Sequence, residues 1–163
     1  MKFRLTLSFF FLSCLLLQAK DPFQNFDRVT FYATMASGIV EDIDKQLAML
    51  NEVSIPEKEA YEGALLMRKS GVLKIAVEKL KYFKKGRIKL ETALLKDSNN
   101  AEYRFLRLSV QEHAPKVVKY KDKLKTDKQF IINAFKNLPA VVQRAIIDYS
   151  KKSKILNPQQ FPL

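Results

Sequence analysis

His113 is the only histidine in the chain, and the residues at helical spacing around it are of the types a hydrolytic site would need. Ser109 lies four positions earlier, and Glu102 falls on the same edge of the helix, so the set offers a nucleophile, a base and an acidic orienter. A serine and a histidine at i and i+4 also arise by chance, and no neighbouring segment supplies the donors of an oxyanion site. The competing assignment is a histidine bonded to a nearby backbone carbonyl. A secreted hydrolase centred on His113 therefore ranks third among the functions considered, and no catalytic residue is assigned. Cys14 is the only cysteine and lies in a segment expected to be removed, so neither a zinc site nor a Cys-His pair can be assembled. There is no glycine-rich phosphate loop, nucleophile elbow or calcium loop, and no metal or cofactor is expected.

Two rows of basic residues offer binding chemistry instead. Arg104, Arg107 and Gln111 are spaced i, i+3 and i+7, and Arg87 falls inside an apolar stripe one helix earlier. The chain has 22 lysines and 7 arginines, so arginine at positions that should be covered is a selective use of the residue. Guanidinium tolerates partial burial better than ammonium and grips carboxylates through two bonds. One reading of Arg104, Arg107, Gln111 and Arg87 is an anion-binding edge for a partner's carboxylates or C-terminus. The other, which is preferred, is internal pairing with Glu62, Glu91, Glu102 or Glu112 that holds helices in register.

The second row is Lys74, Lys81, Lys85 and Lys89, on the side of a long helix opposite its core stripe. The formal charge of +12 would suggest nucleic acid for a cytosolic protein. An exported one meets anionic lipids, polysaccharides or acidic proteins first. Tyr82 and Phe83 read as core rather than base-stacking platforms, so nucleic acid is disfavoured. Of the readings of this row, a merely solvated basic face is the preferred one.

Positioning these residues falls to a series of helices. Few glycines, few alternating apolar runs and long stretches of period near 3.6 place the fold in the all-α class, as about seven helices in antiparallel hairpins. Asp27 is expected to cap a first helix that Ser37-Gly38 interrupts or ends, and a second runs from about Ile39 to Leu50. A third starts at Pro56 and stops at Gly71, with Ala60, Gly63, Ala64 and Met67 on one side, where a neighbouring backbone can approach and Ala33 and Ala36 could form the other wall. The fourth, about Leu73 to Lys96, has Leu73, Ala76, Leu80, Phe83, Leu90 and Leu94 as its core stripe, and Gly86 offers a kink that would turn Arg87 outward. The fifth, Ala101 to Ala114, is organising: Ala101, Phe105 and Leu108 lie opposite Tyr103, Leu106, Val110 and Ala114, so both of its sides must be covered. Lys116 to Lys121 reads as a connector, Leu124 to Asn137 as a sixth helix, and Pro139 opens a seventh through Ser150. Residues 155–163 form an extended tail that Phe161 could pin to the body.

Lys2, Arg4 and the apolar run Leu7 to Leu17 have the pattern of a secretory signal peptide, with Leu17-Gln-Ala19 as the cleavage site. The run is shorter than the ~20 residues of a membrane span. Cleavage would leave residues 20–163 as a single domain, long enough for its own core, and would lower the formal charge from +12 to +10 by removing Lys2 and Arg4.

The segment Ala93-Leu-Leu-Lys-Asp-Ser-Asn-Asn-Ala-Glu-Tyr103 resembles the junction between consecutive tetratricopeptide repeats. Gly86, Leu90 and Ala93 match that repeat's small, large, small pattern, Tyr103 and Leu106 match the start of the next, and Ser98 stands in place of the usual proline. The resemblance implies hairpin packing and a role in protein interaction. Glu102-Tyr-Arg-Phe-Leu-Arg-Leu, with Gln111-Glu112 and Ala114-Pro115, is similar to a family of exported bacterial proteins of unassigned activity, which implies export and supplies no mechanism. The expected function is that of an exported helical interaction or scaffolding protein, periplasmic or extracellular, with a protein partner. The alternative is a protein that binds an anionic polymer, lipid or cell surface through its lysine faces.

Overall fold

The computed structural model describes residues 26–161. The expected signal peptide, its cleavage site and the last two residues of the tail lie outside the described residues. Within them the chain forms α1 (Arg28–Ser37), α2 (Val40–Glu52), α3 (Lys58–Val72), α4 (Ala76–Lys96), α5 (Ala101–His113), α6 (Leu124–Ala134) and α7 (Ala140–Ser150), with short 3-10 turns at Lys116–Val118, Phe135–Asn137 and Pro158–Gln160 and no strand. The all-α expectation holds.

Local chemistry sets several of the boundaries. The Asp27 carboxylate accepts from the backbone N–H groups of Val29 and Thr30, and α1 ends at Gly38 in the left-handed conformation, φ +68°. Asn100 caps α5 by accepting from the Tyr103 N–H at 3.1 Å, and Pro115 follows its end. The tail is not simply extended: Asn157 and Gln160 close a capping box around the last 3-10 turn, and Leu156 and Phe161 on either side are buried. Phe161 does pin it, with its ring 4.9 Å from that of Phe135.

Helices α3 and α4 form an antiparallel hairpin whose register is visible in the ion pairs Glu59–Lys96 and Glu62–Lys89. At their crossing a Cβ added to Gly63 would stand 2.6 Å from the Leu90 backbone N, and one added to Gly86 would stand 2.6 Å from the Gly63 carbonyl oxygen. The small side of α3 therefore meets the backbone of α4, as glycine permits. Ala33 and Ala36, the expected wall, are both exposed. Gly86 serves this close approach, and the helix continues through it.

α4 starts three residues later than expected, which leaves Leu73 and Lys74 in the connector. Its inner row is Phe83, Gly86, Leu90, Ala93 and Leu94, whereas Ala76 and Leu80 are exposed. The reason is register: α3 reaches back along α4 as far as Tyr82, where Lys69 sits over the ring at 4.7 Å, and residues 74–81 are exposed on every side.

Two hydrophobic cores flank α5. The first joins α1 to α4 and takes Tyr103, Leu106 and Ala114 from α5 and its C-cap, with Val110 packed against it. The second joins α6, α7 and the tail and takes Phe105 and Leu108 from the opposite side. One helix thus supplies a wall to each core, as its doubled apolar pattern requires. Its polar residues are confined to the two seams between the cores.

Candidate functional site

The arginine row lies in one of those seams, and internal carboxylates fill it. Asp127 of α6 is fully buried and accepts from Arg107 Nε at 2.7 Å, Arg107 Nη2 at 2.8 Å and Arg104 Nη1 at 3.0 Å. The remaining Arg107 nitrogen donates to Glu91 of α4 at 2.9 Å, and the Tyr120 hydroxyl donates to the other oxygen of Glu91. Arg104 also donates twice to the Ser98 carbonyl, at 2.9 and 2.6 Å, and covers the Phe130 ring at 4.2 Å. Burial opposes the charge on Arg107, but the hydrogen bonds and charge of Asp127, with Glu91 behind it, outweigh burial and hold the guanidinium above the ordinary arginine range.

Every guanidinium nitrogen on this edge is therefore turned inward, as a clamp joining α5 to α4 and α6. Of the expected partners Glu91 is used, and Asp127 takes the principal role. Gln111, the third member of the row, is fully buried, and its amide has no protein partner among the described residues. Arg87 is exposed at the surface of α4 and stacks over the Tyr120 ring at 4.7 Å.

In the opposite seam Ser109, His113 and Glu102 are not joined in one hydrogen-bonded set. The Ser109 hydroxyl donates to the Leu106 carbonyl at 2.8 Å, and His113 Nδ1 lies 3.0 Å from the Ser109 carbonyl oxygen, not from its hydroxyl. Glu102 sits about 16 Å away along the helix, given 1.5 Å of rise per residue. There it accepts from Tyr61 at 2.6 Å and Tyr32 at 2.8 Å. Burial, with the Glu102 charge added to it, pushes both phenols well above their usual range. The carboxylate next to His113 is Glu112, which ties α5 to the C-terminal segment through the hydroxyls of Tyr149 at 2.7 Å and Ser153 at 2.6 Å and the Lys154 N–H at 2.6 Å. Burial acts to raise its pKa, and those three donors prevail and lower it.

The lysine row has a different setting. Lys89 is half-buried and paired with Glu62, and Lys74 precedes α4. Lys81 and Lys85 are exposed and form no ion pair among the described residues, and Lys84 beside them is in the same state. At ~100° per residue these three flank a second apolar row on α4. Val77, Ile88 and Leu95 fall within ~20° of one another on the side opposite the core and are 73%, 67% and 84% exposed, with Leu80 at its margin. Of the eight exposed large apolar residues among those described, five lie on α4 or immediately before it, so the exposure is concentrated rather than scattered.

The connector after α5 abuts this helix, with the Tyr120 ring 5.6 Å from that of Phe83. A shallow depression of about 320 Å³ there is lined by Lys116, Lys119, Tyr120, Lys121 and Asp122. No group of His, Cys, Asp or Glu among the described residues is placed to hold a metal ion, and no helix among them is long and apolar enough to cross a membrane.

Two features escaped the sequence reading, and each left a signal. Asp127 stands in register with Leu124, Ile131 and Phe135, a carboxylate inside an apolar stripe, and such a residue calls for a buried cation. The outer row of α4 shows as apolar residues at i, i+11 and i+18 among lysines. Comparison of the chain with protein-family models, curated proteins and solved structures finds no match, so the functional reading rests on this chain's own residues.

Proposed function

We propose that this is an exported interaction protein whose docking surface is the outer face of α4 and whose partner is anionic. The observation that carries the reading is the state of that face: aliphatic side chains in one row, flanked by Lys81, Lys84 and Lys85 with no carboxylate partner among the described residues. Export rests on the pattern of residues 1–19. The tetratricopeptide-like character belongs to the same proposal, supported by the α3/α4 hairpin and the Asp97–Asn100 turn that leads into α5.

Binding to polyphosphate, polyglutamate and anionic vesicles tests the reading. The variant Lys81→Glu/Lys84→Glu/Lys85→Glu is compared with Lys151→Glu/Lys152→Glu/Lys154→Glu, which changes the net charge equally elsewhere. At ~1 kcal/mol per lysine at an anionic surface, the α4 set loses at least about a hundredfold in affinity for the cognate partner, with circular dichroism unchanged. The control set loses far less. Equal losses would make net charge the cause and remove α4 as the docking face.

A further inference from the structure

We infer that the anionic partner is a phospholipid bilayer, on which α4 lies parallel to the surface with Val77, Ile88 and Leu95 entering the boundary between headgroups and acyl chains. This rests on the docking reading above and names its partner. A soluble polyanion would satisfy the lysines and leave the aliphatic row in water. The row has no aromatic ring for stacking on bases, because Phe83 is buried and Tyr82 lies under Lys69. An acidic protein would have to bring a groove, since this face is a convex ridge about 27 Å long from Val77 to Leu95 at 1.5 Å per residue.

Pairing with a second copy through the same face would set Lys81, Lys84 and Lys85 against their equivalents, a like-charge contact that Glu78, the one exposed carboxylate of α4, offsets only in part. A bilayer meets each requirement. Its interface accepts a convex amphipathic helix, its acyl boundary takes the aliphatic row, and lysine stems extend along apolar surface to place their ammonium groups among anionic headgroups.

The chain contains no tryptophan, so one introduced on the ridge gives a local signal. The full chain carrying Ile88→Trp is mixed with vesicles of phosphatidylglycerol and phosphatidylcholine, or of phosphatidylcholine alone. Val29→Trp, at an exposed apolar position of α1, is the reference. The readout belongs to α4, so residues outside 26–161 do not supply it. The expected result is a blue shift of Ile88→Trp emission with anionic vesicles, none with neutral ones, and none for Val29→Trp. Adding Lys81→Glu/Lys84→Glu/Lys85→Glu abolishes the shift. Val77→Ser/Leu95→Ser in the Ile88→Trp chain, both at exposed positions that leave the fold intact, weakens vesicle partition by about tenfold or more.

A shift of equal size at Val29→Trp, or partition unaffected by Val77→Ser/Leu95→Ser, overturns insertion of α4. No shift on vesicles together with lysine-dependent binding to polyphosphate overturns the bilayer and leaves the docking face standing. No lysine-dependent binding to either overturns both.

Discussion

Helices α4 and α5 share a pattern, apolar residues on two opposite sides of one cylinder, and the fold covers them unequally. Both sides of α5 are enclosed: Tyr103, Leu106 and Ala114 by the first core, Phe105 and Leu108 by the second. On α4 the inner row of Phe83, Leu90 and Leu94 is enclosed, and the outer row of Val77, Ile88 and Leu95 meets solvent. The basic residues divide the same way. The arginines of α5 find Asp127 and Glu91, while Lys81, Lys84 and Lys85 of α4 find no carboxylate among the described residues. A helix whose second face has no cover within the chain is where an outside surface can substitute for the missing layer. The donors of the α5 arginines are taken up within the chain.

That contrast breaks first at Asp127. Removing its carboxylate in Asp127→Ala leaves Arg104 without a counterion and Arg107 with Glu91 alone, and the expected loss is about 3–5 kcal/mol in urea denaturation. A loss below ~1 kcal/mol would mean that solvent reaches Arg104 and Arg107, and would reopen that edge as a binding site. The contact between α3 and α4 is the next test. Gly63→Ala forces a methyl group against the α4 backbone and is expected to cost about 1–3 kcal/mol, whereas Ile88→Ala on the outer side changes stability by no more than about 0.5 kcal/mol. Equal costs would mean that the outer row is covered after all.

The smallest effect concerns the other seam. The Glu112 carboxyl is held below its ordinary value, ~4.3 for glutamate, so its contribution is present above that range and is lost as pH falls through the folded value. The protection of the Lys154 amide against hydrogen exchange, relative to an unstructured amide at the same pH, should fall as pH drops below the ordinary glutamate range in the wild type. Glu112→Gln should flatten that dependence. A profile unchanged by Glu112→Gln would place the pH response elsewhere.

The class of fold and the central role of α5 were legible because period and capping are local. The opposed sets of α5 and the Asp27 cap both appear in the structure. What depends on tertiary register was not. The partner of Gly63 is Gly86, not Ala33 or Ala36, because the hairpin offset of α3 against α4 decides which backbone comes close. Leu80 reads as core by spacing alone, yet it stands at the margin of the second row, where nothing packs. Internal pairing of the arginines was the preferred reading, and Asp127 was missed as the acceptor because an aspartate near a helix start also suits the helix dipole. The lysine row was placed one helix face too broadly, since Lys89 is held by Glu62 from the neighbouring helix.

Gly63 and Gly86 bear on recognition as well as on packing. A segment that becomes helical only on meeting its partner surrenders backbone freedom worth about 1–2 kcal/mol per residue ordered. From Tyr82 onward α4 is already fixed, backbone against backbone at those two glycines and by ion pairs at Lys89 and Lys96. Whatever meets the outer row meets a preorganised rail, and the ordering entropy that weakens many amphipathic segments has been settled by folding.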